Sequence, residues 1–550
     1  MKRVSALALV LLMLLGALPA PVRAADYSDV PQGSWARTII DKAATYTLME
    51  GVGNAKFGYG ASITRAEFIT VLCRMFGWES VDASAPSFGD VAAGKWYASY
   101  IETALTHDVL DKGSAFRPDE PIRRLDMAVM LVRALGYRQL ADSAEKFSLP
   151  FGDVTESCGY VAVAYDIGMV NGTGNGQFMP DAPAKREEAA AMLVRVYERM
   201  TAQTDWLHGF YAFSSYDQRY LTRDMDAVSA GWSYITYSAE GGVVLNTSAG
   251  AHHFSIPPSY ESILNYLEEG GTPLNLNVYM DNAGSGAKTV LCDPVLRTAT
   301  VDAIMTEATR VYDRVGKSPY AGVTIDFEAL RGEETKQGLN AFLAELAPRL
   351  KAEGMTLYIC VQPVATTGYY DGFDYKTIGE LCDKVILMAH DYQATSLVGF
   401  VGTEYYKTTA LTPFNAIYYA LRALTDPQTG VADRSKLALA LSFGSVGWKI
   451  KDGKLVDPTP VTPAPSTIYK RLTQPGSVIG WSDKYRNPYV TYTTEEGQDI
   501  FLWYEDARSV GDKVRLARLM GITGVSLWRI GNIPDYADAG IEYDAFSAVK

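Results

Sequence analysis

The chain has little of what builds metal centres or covalent frameworks. Its 550 residues include five cysteines (Cys73, Cys158, Cys292, Cys360 and Cys382) and five histidines. The cysteines lack Cys-x-x-Cys spacing and several lie in apolar stretches, so they read as buried thiols and not as a disulfide scaffold or zinc site. Only His252 and His253 adjoin, so no metal-ligating set can be assembled, and neither a metal nor a cofactor is expected. Positive charge is scarce as well. The formal charge is −13, which argues against nucleic acid as a bulk partner. Long apolar runs are missing except at the N-terminus, where Lys2 and Arg3 precede an apolar stretch from Val4 to Leu18 and Val22-Arg23-Ala24 follows with small residues at the key positions. Residues 1–24 therefore read as a secretory signal peptide, since the apolar run is shorter than the roughly 20 residues a bilayer span needs. Without Lys2, Arg3 and Arg23, 47 basic residues face 63 acidic ones, a formal charge of −16. No later segment is apolar and long enough for a membrane span.

At roughly 150 residues per domain, the length suggests two to four units. Internal repetition separates the first of them. Segments opening Tyr27-Ser-Asp-Val, Phe88-Gly-Asp-Val and Phe151-Gly-Asp-Val recur at intervals of roughly 60 residues. Each continues with an aromatic residue opening a helix (Trp35, Trp96, Tyr160), then a loop through Phe57-Gly-Tyr-Gly, Phe116-Arg-Pro-Asp or Phe178-Met-Pro-Asp. A second amphipathic helix starts at Ile63-Thr-Arg-Ala-Glu67, Ile122-Arg-Arg-Leu-Asp126 and Ala184-Lys-Arg-Glu-Glu188. The copies span 27–78, 87–137 and 150–200.

These three copies resemble S-layer homology repeats. The resemblance implies an all-α, three-pronged module holding anionic secondary cell-wall polysaccharide, with Arg65, Arg124 and Arg186 as ligands and Trp35 and Trp96 beside them. A guanidinium next to unpaired N–H groups at a helix start suits an anion even on an acidic protein. The other reading is that each arginine pairs with a neighbouring Glu or Asp. Only the first copy keeps Thr-Arg-Ala-Glu, because Arg123, Asp126 and Lys185 depart from the pattern.

Residues 206–550 have a different rhythm. Short apolar strands alternate with helical stretches at 209–213, 232–237, 274–280, 322–328, 356–362, 384–388, 437–442 and 524–527. Eight strands in βα order predict a closed parallel barrel, an α/β fold of the TIM type. The segment 449–499, rich in Pro, Thr, Tyr and Gly and without helical period, reads as an insertion of short antiparallel strands on the rim.

Within this domain Gly322-Val-Thr-Ile-Asp-Phe-Glu328 breaks a local rule. Period-two alternation puts Thr324, Asp326 and Glu328 on one face and Val323, Ile325 and Phe327 on the other. A buried parallel strand is normally apolar on both faces, and such a violation inside a core marks a functional site. Glu328 ends the strand, where the catalytic rim of a barrel lies, with Asp326 about 6 to 7 Å behind it. Other strand ends carry Tyr211, Phe213, Gln362, His390-Asp391-Tyr392 and Trp528. Acid groups ringed by aromatics suit a carbohydrate, whose rings offer apolar C–H faces and hydroxyls.

The fourth-strand motif resembles that of glycoside hydrolase family 18. Leu387-Met-Ala-His-Asp-Tyr392 is similar to the family's sixth-strand motif, and Gly524-Val-Ser-Leu-Trp528 to its eighth strand. Trp503-Tyr-Glu-Asp-Ala-Arg-Ser509 resembles the spore-germination and cortex-lytic branch. The resemblance implies substrate-assisted, retaining hydrolysis of β-linked N-acetylglucosamine polymers. Glu328 would be the acid and Asp326 the group orienting the substrate acetamide. Asp391, Tyr392 and His390 would bind the acetamide and hydroxyls, and Trp528 would floor the subsite, with Tyr211, Phe213 and Gln362 as further substrate contacts. Ala321, Thr324 and His390 depart from the family pattern. The expected protein is a secreted, wall-anchored bacterial N-acetylglucosaminidase, peptidoglycan being the favoured substrate. A weak or inactive wall lectin and a chitinase stay open as alternatives.

Overall fold

The computed structural model describes residues 27–212, 214–248, 254–282, 286–312, 316–364, 370–537 and 540–550. The expected signal peptide, His252, His253 and Phe213 lie outside the described residues. The chain divides into two compact units, Met1–Glu198 and Arg199–Lys550.

The first unit is all-α. Its helices are α1 (Arg37–Thr45), α2 (Arg65–Met75), α3 (Ala98–Thr106), α4 (Arg124–Ala134), α5 (Arg138–Ser143), α6 (Cys158–Asp166) and α7 (Arg186–Met200), the last running two residues past the boundary. The recurrent Asp-Val opening has a structural cause. Asp29 accepts hydrogen bonds from the N–H groups of Phe57, Gly58 and Tyr59, while Asp90 accepts from Phe116 and Arg117 and Asp153 from Phe178 and Met179. Each aspartate thus ties the start of a repeat to its loop. The copies close on one another cyclically. Ile63 N–H donates to Ala184 O at 3.0 Å, Ala184 N–H to Ile122 O at 2.9 Å, and Ile122 N–H to Ile63 O at 3.0 Å. Three repeats are the number that completes this ring.

The second unit is the expected parallel barrel. Its sheet strands are β1 (Trp206–Tyr211), β2 (Ala227–Ser238), β3 (Gly242–Asn246), β4 (Leu274–Asp281), β5 (Gly322–Glu328), β6 (Thr356–Val361), β7 (Lys384–Leu387) and β8 (Leu437–Ser442). Between β8 and the last barrel strand come β9 (Val446–Lys451), β10 (Lys454–Leu455), β11 (Val478–Ser482), β12 (Asn487–Thr493) and β13 (Asp499–Trp503), then β14 (Gly524–Trp528). The order β1-β14-β8-β7-β6-β5-β4-β2, with β2 pairing back to β1, closes eight parallel strands. β3 adds an antiparallel flap to β2.

Helices α8 (Tyr260–Gly270), α9 (Gly286–Cys292), α10 (Pro294–Ala308), α11 (Glu333–Ala352), α12 (Tyr375–Leu381) and α13 (Phe414–Leu424) fill the connections in turn. Two expectations are corrected. The first two strands begin earlier than 209 and 232, at Trp206 and Ala227. The insertion runs from Val446 to Trp503 as a five-stranded antiparallel sheet and includes a helix, α14 (Pro465–Thr473), although the sequence of 449–499 shows no helical period. Its Pro at N1 and buried Ile468 and Leu472 are the helical signal, compressed into too few turns to register as a period.

The chain re-enters the barrel through α15 (Ala507–Leu519), capped by Asp506, whose carboxylate accepts from Ser509 N–H at 2.7 Å. Beneath this cap Glu505 is buried and accepts from Thr412, Asn487, Ser509 and Lys513, an enclosed ion pair satisfied on all sides. All five cysteines are free. Cys73, Cys360 and Cys382 are buried as expected, but Cys292 is exposed. Among the described residues no helix is long and apolar enough to cross a membrane.

Candidate active site

Alternation decides which side chains enter the barrel. Trp206, Phe210, Tyr358, Cys360, Ile386, Ala438 and Ala440 form one buried interior cluster, with Met388 and Trp528 packed against it. Thr324, Asp326 and Glu328 point inward on β5. β4 pairs in register with Tyr279 opposite Asp326 and Asp281 opposite Glu328. The mouth therefore collects Tyr279 and Asp281 from β4, Asp326 and Glu328 from β5, Gln362 and His390 from just beyond β6 and β7, and Trp528 from the end of β14.

Asp326 is 2% exposed. One carboxylate oxygen accepts from Asn277 Nδ2 at 3.4 Å, and the other is buried without a partner. Burial raises its pKa to about 6, against the lowering hydrogen bond from Asn277. Glu328 is partly buried, and burial first, then the anions Asp326, Asp281 and Asp391, push it up to about 8. The two acids separate in role. Glu328 keeps its proton near neutrality, while the deeper Asp326 gives its proton up first. Tyr279, its ring stacked on Phe254 with centroids 4.6 Å apart, is pushed far above its usual range by burial and by the neighbouring Glu328, so its phenol stays neutral.

The remaining expected residues divide. His390 Nδ1 lies 2.9 Å from Asp391 Oδ2, and Tyr392 is exposed. Trp528 meets Phe210 edge-on with ring centroids 5.2 Å apart. Gln362 has a different task. Its side-chain oxygen accepts from the N–H of Ala329 at 2.6 Å, holding the turn after Glu328, where Ala329 sits at φ 56°. Tyr211 is buried on the opposite face of β1 from Phe210, so the inward aromatic of that strand is Phe210. Sequence reasoning missed Asn277, Tyr279 and Asp281, although Asn275-Leu-Asn-Val-Tyr-Met-Asp281 carries the same period-two polar row as β5.

In the repeats, each helix-start arginine reaches the next copy. Arg65 donates to Phe116 O and pairs with Asp126 at 2.7 Å. Arg124 donates to Phe178 O at 2.9 Å, with Glu188 at 4.0 Å. Arg186 donates to Phe57 O and Glu50 O and pairs with Glu67 at 2.8 Å, closing the cycle. Gly58, at φ 86°, leaves room for this, since a Cβ there would lie 2.9 Å from Arg186 Cδ. The acid partner is thus the helix-start residue of the following copy and not a neighbour in sequence. Trp35 and Trp96 are 59% and 57% exposed, whereas Tyr160 is buried under the Arg133 guanidinium and is not their counterpart. Trp35 and Arg124 line one groove of about 340 Å³, and Arg65, Arg123 and Arg133 line another of about 300 Å³.

Residues 288–532 match glycosyl hydrolases family 18, and residues 26–69, 87–128 and 150–190 match the S-layer homology domain. The cortical fragment-lytic enzyme of Bacillus anthracis is 24% identical over 282 residues, 50% of this chain and 60% of that protein. An amylopullulanase of Thermoanaerobacterium thermosulfurigenes is 30% identical over 178 residues, 32% of this chain and 10% of that protein. The chain thus spans less than two thirds of the length of these relatives. The crystal structure of the Bacillus cereus spore cortex-lytic enzyme aligns with a TM-score of 0.47 at 19% identity, covering 64% of this chain and 74% of that one.

Proposed function

We propose, from the premise that the chain carries a glycosyl hydrolases family 18 domain behind three S-layer homology repeats, that it is a secreted, wall-anchored glycosidase cutting β-1,4 bonds beside N-acetylglucosamine. One observation carries this reading: at the C-terminal end of β5, a carboxylic acid held neutral sits one inward position above a buried carboxylate with an unpartnered oxygen. Glu328 protonates the glycosidic oxygen as the C–O bond breaks. The carbonyl oxygen of the substrate's own acetamido group attacks the anomeric carbon, forming an oxazolinium ion. The open oxygen of Asp326 accepts the acetamide N–H and balances the positive charge. Glu328, now ionised, takes a proton from the water that reopens the ring, so configuration is retained. Asp391, Tyr392 and His390 hold sugar hydroxyls and the acetamide, and Trp528 floors the ring.

Peptidoglycan is the favoured substrate. An enzyme tethered in the wall meets that polymer at high effective concentration. The repeats supply the tether by holding anionic secondary cell-wall polysaccharide, with exposed Trp35 lining the groove of Arg124 and Trp96 offered as a second exposed ring. Thr324, where the family carries an acid, favours a second reading, a wall lectin without turnover.

The test uses the chain without residues 1–24 and its Glu328→Gln variant, each incubated with purified peptidoglycan and with chitin oligomers. The glycosidase reading expects new reducing ends that fall by about 10²-fold or more in the variant. Binding by both proteins without products supports the lectin and overturns the enzyme.

A further inference from the structure

A cavity of about 520 Å³ lies between the insertion and the start of α15. It draws Leu472 from α14, Ile479 and Trp481 from β11, Arg508 from α15, and Ile541 and Glu542 from the C-terminal segment. None of these belongs to the acid site on β4 and β5. Because α15 leads down to the first residue of β14, its own start lies at the rim end of the barrel, where the strands finish. The cavity is thus on the catalytic side of the molecule. Its floor is apolar: Leu472 belongs to a buried cluster with Tyr504 and Tyr543, and Ile541 packs against that cluster. Ile479, on the edge strand of the five-stranded sheet, is 48% exposed.

Two opposite charges stand on the walls without partners. The Arg508 guanidinium lies over the Trp481 ring, 3.7 Å from its centroid, so a cation–π contact holds it at the cavity. Among the described residues Arg508 forms no ion pair, and neither does Glu542; both are exposed. Asp506, the other acid on the wall, is committed to the backbone of α15, accepting from Ser509 N–H at 2.7 Å. A further donor is open, because the indole Nε1–H of Trp481 is buried without a hydrogen-bond partner. These features select among ligands. With the guanidinium on it, that face of the Trp481 ring is closed to a stacked sugar. Glu542 would repel a polyanion that Arg508 attracted. A ligand bearing one anion and one cation on an apolar stem satisfies both walls and the floor together.

We propose that this cavity binds the end of a peptide that carries a free carboxylate and a free amine together: Arg508 takes the carboxylate, Glu542 the amine, and Leu472, Ile479 and Ile541 the alkyl chain between them. The planar fork of an arginine suits a carboxylate in particular. The inference rests on the glycosidase reading for the source of the peptide and narrows its substrate to glycan that bears short peptides with a diamino acid, as peptidoglycan does. Chitin carries no such group.

The test is calorimetric titration of the chain without residues 1–24 with a synthetic tripeptide ending in a diamino acid whose side-chain amine and carboxylate are free. Binding is expected, and it should weaken by about tenfold or more in Arg508→Gln and in Glu542→Gln. The ligand is altered in parallel: amidating its carboxylates or acetylating its amine should cost the parent chain a similar factor. A parent chain that does not bind the tripeptide, variants that bind it as tightly as the parent, or modified tripeptides that bind as tightly as the free one each overturn the inference. Cleavage supplies the link to the substrate. The parent chain should show a lower KM on glycan strands that keep their peptides than on strands stripped of them by an amidase, and Arg508→Gln should shrink that difference. Equal KM values for the two strands, or a difference that survives in Arg508→Gln, also overturn it. If the parent chain cleaves neither strand, the glycosidase reading fails, while the titration still decides the cavity.

Discussion

Replacing Asp281 by Asn should move the alkaline limb of activity toward acid. Asp281 sits opposite Glu328 across β4 and β5, and its charge is one of those that raise the Glu328 pKa to about 8. At pH 7 a group with that pKa is about nine-tenths protonated, whereas at an ordinary glutamate value only about one molecule in 500 would be. The sign follows from the direction of the shift. The proton needed for catalysis is present below about 8 and is lost above it, while the Asp326 anion is present above about 6 and is lost below it, so activity peaks between those limits. Removing one unit charge roughly 6 Å away relieves about 0.7 kcal/mol at the dielectric of water and about 2.8 kcal/mol at an effective value near 20. That corresponds to a fall of roughly half a unit to two units in the alkaline limb. Asn keeps the shape of Asp281 and its acceptor for the Tyr279 hydroxyl, 3.4 Å away. The assay is the pH dependence of kcat/KM on a soluble N-acetylglucosamine oligomer for both proteins. An alkaline limb that stays in place, or moves upward, would refute the electrostatic account of Glu328.

Gln362→Ala should leave the turn after Glu328 without its hydrogen bond to Ala329 N–H, costing about 1 kcal/mol of stability and lowering kcat by about tenfold through misplacement of the acid. Urea unfolding and steady-state rates would separate the two effects. Arg186→Ala, which removes a buried guanidinium from the part-exposed Glu67 and from two carbonyls, should cost about 1 to 3 kcal/mol, and Arg124→Ala, whose acid partner is 4.0 Å away, less. Comparing their unfolding midpoints for the helical unit checks the cyclic exchange. Lys513→Met should cost about 3 to 5 kcal/mol by leaving Glu505 buried and unpaired, with Glu505→Gln added in the same chain recovering part of the loss in calorimetry. Deleting residues 27–200 should abolish retention on isolated walls while released reducing ends persist, and retention without those residues would contradict the tether.

Several features were legible without coordinates because they are local. The triple recurrence of Asp-Val, loop and helix start is readable at its spacing, and each Asp does tie one loop. The alternation in Gly322–Glu328 alone puts Asp326 and Glu328 on one face, because side chains on a strand repeat every two residues. Alternation was silent for β1. That strand is buried on both faces, so periodicity does not tell whether Phe210 or Tyr211 looks inward, and the structure turns Phe210 and not the expected Tyr211 to the interior.

The partners were out of reach for the same reason. Arg186 meets Glu67 across 119 positions and His208 meets Ser526 across 318, pairings fixed only when the repeats close cyclically and the eighth strand returns to the first. Residue types and their spacing fix the kinds of chemistry available: a pair of acids on one strand face and three arginines at helix starts. Tertiary structure alone decided their states, because a carboxyl's proton affinity depends on burial and on charges brought from other strands, none of which is a property of neighbours along the chain.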